Sequence, residues 1–140
     1  MAFKVLQVDH IGIGVSDLAA TKEFYKNALG MEHLPEDEVV EEQKVKVSFF
    51  PCGDAELEFL ESTTPDGPFC RFIEKNGGRN GIQHVALRVD DIKAAIADLK
   101  AKGVQLIDEE PRYGAGGSAI AFLHPKATGG VLLELCQRMK

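Results

Sequence analysis

One hundred and forty residues leave room for one domain or two small fused halves, which excludes a large multidomain machine. Sixteen Lys and Arg against twenty-two Asp and Glu set the formal charge at −6, which argues against a surface that coats nucleic acid and leaves an anionic ligand needing a locally basic patch. Hydrophobic residues make up 44% of the chain, as in ordinary globular domains, and three scattered cysteines (Cys52, Cys70, Cys136) with no C-x-x-C pair argue against a disulfide framework or thiolate zinc site and fit a reducing cytosol.

The first residues, Met1 to Leu6, turn polar too quickly for a signal peptide, and no apolar run approaches the ~18 residues of a membrane span. The expectation is a soluble cytoplasmic protein without membrane or nucleic-acid partners. Residues 8–18 (VDHIGIGVSDL) alternate as a strand does. Asp9, Ile11, Ile13 and Val15 share one face; Val8, His10, Gly12 and Gly14 share the other. A helix follows, with Ser16 as its expected N-cap, a rough apolar stripe of Leu18, Phe24, Tyr25 and Leu29, and Gly30 as its stop. Short strands are predicted around Val39 to Glu42, over Val45 to Phe50 and over Ala55 to Leu60, the last two joined by Pro51-Cys52-Gly53-Asp54. In the third of these Glu58 faces away from Leu57 and Phe59. Asp66-Gly67-Pro68 then opens a short helix that ends at Asn76-Gly77-Gly78.

Residues 82–92 (IQHVALRVDDI) repeat the opening strand. The next helix shows Ile92, Ala95, Ile96 and Leu99 on one face, with Asp90 as the expected cap and Gly103 as the stop. Gln105 to Glu109 leaves room for a strand, and further strands are predicted over Ser118 to Leu123 and Val131 to Cys136, joined through Pro125 to Gly130. His10 and His84 (84 − 10 = 74), Val15 and Val89, Asp17 and Asp91, and Pro51 and Pro125 share one offset. The second loop is two residues longer, so Glu58 and Glu134 differ by 134 − 58 = 76. The predicted fold is α+β: one domain of two tandem βαβββ modules, 4–62 and 79–138, with a connecting helix in 63–78. A pseudo-twofold would relate the modules, with a curved mixed sheet forming a metal-binding cleft and the helices outside.

A single acid in an apolar strand is costly unless something pairs with it. Glu134 sits in Val131-Leu132-Leu133-Glu134-Leu135-Cys136, and Glu58 holds the corresponding place in the first half. One strand histidine is ordinarily a surface or satisfied core residue, and Glu58 beside Glu56 and Glu61 reads equally as a solvated face. The repeat outweighs both readings, because His and Glu recur at matching positions. His10, Glu58, His84 and Glu134 together suit one divalent ion per subunit, Co²⁺, Mn²⁺, Ni²⁺ or Zn²⁺. Gly12 and Ala86, two residues past the histidines, would leave space beside it. His33 and His124 lack such partners and read as structural.

The paired modules resemble the vicinal oxygen chelate superfamily over nearly the whole chain. Within it Asp9 to Ile13, Gly81 to Ala86, Phe122-Leu123-His124-Pro125-Lys126 and Gly129 to Leu135 are most similar to the methylmalonyl-CoA epimerases. The resemblance implies metal ligands at His10, Glu58, His84 and Glu134, and a homodimer. It also implies epimerisation of (2R)- and (2S)-methylmalonyl-CoA by a 1,1-proton shift through a metal-stabilised enediolate. Inversion needs a base on each face of a planar intermediate. Glu134 is the first candidate. Some members carry a second carboxylate where this chain has Val47, which leaves Glu58, Glu56, Lys46 or a metal-bound water for the other face, with Glu42 further off. Lys126, Arg112 and Arg88 are candidate contacts for CoA phosphates, and the loop Gly114 to Ser118 a candidate substrate contact through Ser118. Rival readings are a glyoxalase I-like lyase, whose last strand usually follows an Asp-Pro-Asp-Gly turn rather than His124-Pro125-Lys126, a non-catalytic binding protein of the same fold, and a two-His-one-carboxylate oxygenase.

Overall fold

The computed structural model describes residues 2–139. Strand β1 (Val5–Gly14) leads into helix α1 (Leu18–Glu23), whose end continues as a wider π-helical turn, Phe24–Ala28. Strands β2 (Glu38–Val40), β3 (Val45–Cys52) and β4 (Ala55–Ser62) complete the first repeat. After helix α2 (Pro68–Lys75) the pattern recurs as β5 (Gly81–Val89), α3 (Ile92–Ala101), β6 (Arg112–Gly114), β7 (Ser118–Phe122) and β8 (Leu133–Arg138). This is the expected α+β fold, one helix and four strands twice over. No helix among the described residues is long and apolar enough to cross a membrane.

The chain forms two compact units that do not follow the repeat boundaries. One joins the residues up to His10 with those from His84 onward; the other is Ile11–Gln83. In the first the strand order is β1-β5-β8-β7-β6, in the second β2-β3-β4-β1. The pairing is mixed: β5 and β8 run parallel, with Val85 opposite Leu133 and Ala86 opposite Glu134, whereas β7 and β8, β6 and β7, and β3 and β4 are antiparallel.

In the first unit α3 places Ile92, Ala95 and Ile96 on Val89, Ala121, Leu123 and Leu135. The i, i+3, i+4 spacing of those helical residues is what makes one face apolar, and burying each large aliphatic chain there contributes about 1.5–3 kcal/mol. In the second unit Val15, Leu18, Phe50 and Phe59 form a cluster joined by Tyr25. The rough stripe of α1 has a physical cause. The Leu29 amide reaches back five residues to the Phe24 carbonyl, which shifts the phase of the helix surface. Tyr25 therefore packs 4.6 Å from Phe59, while Phe24 and Leu29, expected on the apolar face, are exposed.

Both helix caps lie one residue beyond their expected places. Asp17 and Asp91 have extended backbones, and their carboxylates accept from the Ala20 and Ala94 amides at 3.0 Å. Ser16 instead donates its amide to Asn80, and Asp90 accepts from the Lys4 amide. The next exposed amide, of Leu18 and of Ile92, goes to Glu61 and Gln137 respectively. Those two residues are as far apart as Glu58 and Glu134 (137 − 61 = 76), so the repeat extends to how each helix start is tied to its strand. Gly30 and Gly103 end the helices at φ 70° and 80°, the left-handed conformation that a side chain disfavours.

The strand expected over Gln105 to Glu109 is reduced to a single bridge between Leu106 and Leu123. Asp108 is the reason. Its carboxylate accepts the Phe122 amide at 2.9 Å, replacing the backbone carbonyl a ladder would use, and the pairing with β7 moves on to Arg112–Gly114.

Candidate metal centre

The first unit gathers three of the four proposed ligands. His10 on β1, His84 on β5 and Glu134 on β8 are each at most 5% exposed. The Nε2 atoms of the two imidazoles approach to 3.3 Å, with ring planes perpendicular. Glu134 brings one carboxylate oxygen to 3.2 Å from His84 Nε2 and the other to 3.5 Å from His10 Nε2. Strand alternation explains the convergence, because the parallel register sets Glu134 opposite Ala86, two residues from His84 on the same face. Ala86 is fully buried, so its methyl does not open the space beside His84 that the sequence suggested.

Burial pushes the His84 imidazole down to about 4, against the pull of the Glu134 carboxylate and with a smaller push from His10. It is neutral at pH 7, the form that binds a metal. His10 is oriented from its other nitrogen, where Nδ1 lies 2.6 Å from Asp9 Oδ1. Burial alone would raise the Asp9 carboxyl, but hydrogen bonds from His10, Arg138 and Arg88 outweigh it and hold the group well below the usual carboxylate range. An ionised carboxylate only accepts, so His10 Nδ1 carries the hydrogen, and the neutral ring that binds a metal then presents its Nε2 lone pair toward His84 and Glu134. Ligating atoms of His10, His84 and Glu134 all lie within 4.8 Å of one another. Two imidazole nitrogens and a carboxylate oxygen match a borderline divalent cation, so the residues present fit the group that the sequence implied.

Glu58 belongs to the second unit. It is buried on β4, opposite Phe49 of β3, as Glu134 is opposite Phe122 of β7. Val47, for which the resemblance implied a carboxylate in some family members, is completely buried opposite Leu60.

The candidate CoA contacts lie on β5, β6 and β7 and on the turn after β7. Arg88 Nε donates to Asp9 at 2.8 Å, and Arg112 Nε donates to Asp108 at 3.1 Å with its guanidinium over the Phe122 ring. Lys126 is exposed on the turn after His124, beside a shallow cavity lined by Gly103, Val104, Gln105 and Ala127. Ser118 is buried, its hydroxyl donating to the Ala115 carbonyl across the turn. His124 is structural as expected, with Nδ1 accepting the Lys126 amide. Reading the sequence missed Asp9. The available signal was an acid on an otherwise apolar strand face, which requires cationic partners.

A family model described as the Glyoxalase/Bleomycin resistance protein/Dioxygenase superfamily matches residues 9–122. The chain belongs to this superfamily. Its relatives include the uncharacterized protein YqjC of Bacillus subtilis (strain 168), 44% identical over 131 residues that cover 94% of this chain and 91% of that protein. The mitochondrial methylmalonyl-CoA epimerase of Homo sapiens is 40% identical over 94% of this chain and 73% of its own length. Among solved structures of the superfamily, a methylmalonyl-CoA epimerase in complex with methylmalonyl-CoA and NH4+ is 39% identical, with a TM-score of 0.88 over 97% of this chain and 96% of that one.

Proposed function

We propose that this chain is a metal-dependent epimerase of methylmalonyl-CoA, acting as a cytoplasmic homodimer whose repeats, 4–62 and 79–138, form one vicinal-oxygen-chelate domain about the 63–78 connection. The observation that carries the proposal is the convergence of His10, His84 and Glu134 in a chain about 40% identical to an epimerase of that name. His10, His84 and Glu134 would hold one Co²⁺, Mn²⁺, Ni²⁺ or Zn²⁺, and the repeat supports Glu58 as the fourth ligand. When bound, the ion supplies a Lewis acid for the negative charge that gathers on a thioester oxygen, contributing several kcal/mol.

The protein's own groups account for the proton. The substrate hydrogen lies between a thioester and a carboxylate, and its loss leaves a planar carbon that must be reprotonated on the opposite face. Glu134 is the base on one face and Glu58, its repeat counterpart, the base on the other. Both carboxylates are buried beside apolar strands, where little water competes for the proton. With an apolar Val47, the strand that bears a carboxylate in some relatives offers none at this position here. Lys126, an exposed cation, is the proposed contact for CoA phosphates, and Ser118 shapes the turn from Gly114 that the thioester passes.

Metal-loaded protein incubated with (2S)-methylmalonyl-CoA in D2O tests this. Deuterium enters the α-position as the (2R) form appears, and a chelator stops both. Absence of exchange with every one of the four ions refutes the reading. Turnover of a glutathione hemithioacetal instead would favour the lyase, for which His124-Pro125-Lys126 is the wrong turn.

A further inference from the structure

We infer that Asp9 is the positioning residue of this centre: clamped by Arg88 and Arg138, it holds His10 in the tautomer that turns the Nε2 lone pair toward His84 and Glu134. The inference rests on the reading of those three side chains as metal ligands.

Asp9 is fully buried and takes four hydrogen bonds. Its Oδ1 accepts from His10 Nδ1 at 2.6 Å and from Arg138 Nη2 at 2.6 Å; its Oδ2 accepts from Arg88 Nε at 2.8 Å and Arg138 Nε at 3.0 Å. Four donors use the four lone-pair positions of a carboxylate. Arg138 grips both oxygens as a two-pronged fork, the geometry that fixes a carboxylate most firmly. A buried charge without such partners would cost several kcal/mol, so the two arginines are what permit an acid at this place. The clamp also draws on the strands that carry the ligands: Asp9 and His10 on β1, Arg88 and His84 on β5, Arg138 and Glu134 on β8. A carboxylate behind a ligating imidazole sets its tautomer and raises the basicity of the far nitrogen, and losing one weakens metal binding 10–100-fold as a rule.

Asp9→Asn makes a specific test, because it changes one oxygen into an NH2 while keeping the shape. With the amide oxygen in the Oδ2 place, Arg88 Nε and Arg138 Nε keep their acceptor and only Arg138 Nη2 meets the NH2, whereas the opposite orientation would set two arginine N–H groups against it. The NH2 then faces His10 Nδ1, which has to accept. His10 is driven to the Nε2–H tautomer, with a hydrogen where the metal belongs. A purely structural role for Asp9 predicts no such flip.

The measurement uses the full ¹⁵N-labelled chain, stripped by chelator and held at one pH. Long-range ¹H–¹⁵N spectra read the His10 ring nitrogens, and calorimetry follows titration with CoCl2. The expected result is Nδ1–H in the wild type, Nε2–H in Asp9→Asn, and Co²⁺ binding about 10–100-fold weaker in the variant. Retention of Nδ1–H with wild-type Co²⁺ affinity in Asp9→Asn overturns the inference and leaves the ligand reading intact. If the wild type takes up none of Co²⁺, Mn²⁺, Ni²⁺ and Zn²⁺, the ligand reading fails, while the wild-type tautomer still decides what Asp9 does to His10: Nε2–H there overturns its role. Should Asp9→Asn fail to fold, Arg138→Gln replaces it, and an unchanged Co²⁺ affinity in that variant counts against the clamp.

Discussion

His84 ties the stability of the metal-free protein to pH. In the folded chain its imidazole is pushed down to about 4, chiefly by burial, from an ordinary 6.5. Between those values the unfolded chain binds a proton that the folded chain refuses, so stability rises with pH. The contribution is complete above pH 6.5 and disappears as the pH falls toward 4. Going from pH 8 to pH 5, the two titration curves give a loss of about 2 kcal/mol from this residue. Urea unfolding of chelator-treated protein, followed by circular dichroism at both pH values, measures it. His84→Gln removes the titrating group, so the wild type should lose about 2 kcal/mol more than the variant over the same interval. Equal losses in the two proteins, or a wild type that gains stability on acidification relative to the variant, would refute the burial argument.

Glu58→Gln keeps the shape of the side chain and removes a base; conversion of the (2S) to the (2R) form should fall roughly 10²–10⁴-fold, and an unchanged rate would place the second base elsewhere. A Cβ on Gly14 would sit 2.9 Å from Phe72 and 3.1 Å from Phe69, so Gly14→Val should lower stability in urea by about 1–3 kcal/mol. Asp91→Ala removes the cap on the Ala94 amide and should lower stability by about 1 kcal/mol, seen as a fall in Tm. Burial, with the Asp9 and Glu134 charges adding to it, pushes the Cys136 thiol up to about 12, while Cys52 and Cys70 are exposed. A disulfide reagent at pH 8 should therefore titrate two thiols quickly in the folded protein and the third only in denaturant.

The repeat made His10, His84 and Glu134 legible, because strand alternation and matching places in the two halves can be read from the pattern of the sequence alone. The choice between Ser16 and Asp17, or between Asp90 and Asp91, was not legible: either side chain can cap. The structure decides by giving the Leu18 and Ile92 amides to Glu61 and Gln137, residues on strands far along the chain. The site of β6 was hidden for a similar reason, since Asp108 takes a backbone amide that a propensity scan assigns to a strand partner. Asp9 depends on Arg138, 129 residues away, and no local period reports such a pair. That is also why Arg88 looked like a free cation.

The discontinuity of the first unit sets an order of events during synthesis. Ile11–Gln83 is contiguous and can close on itself as soon as it has been made. His10 emerges before all of it, yet the guanidinium that steadies the neighbouring Asp9 is translated 129 residues afterwards. A nascent chain therefore lacks the complete clamp until β8 has been made, and the proposed centre can assemble only after Glu134 and Arg138 have joined His10 and His84.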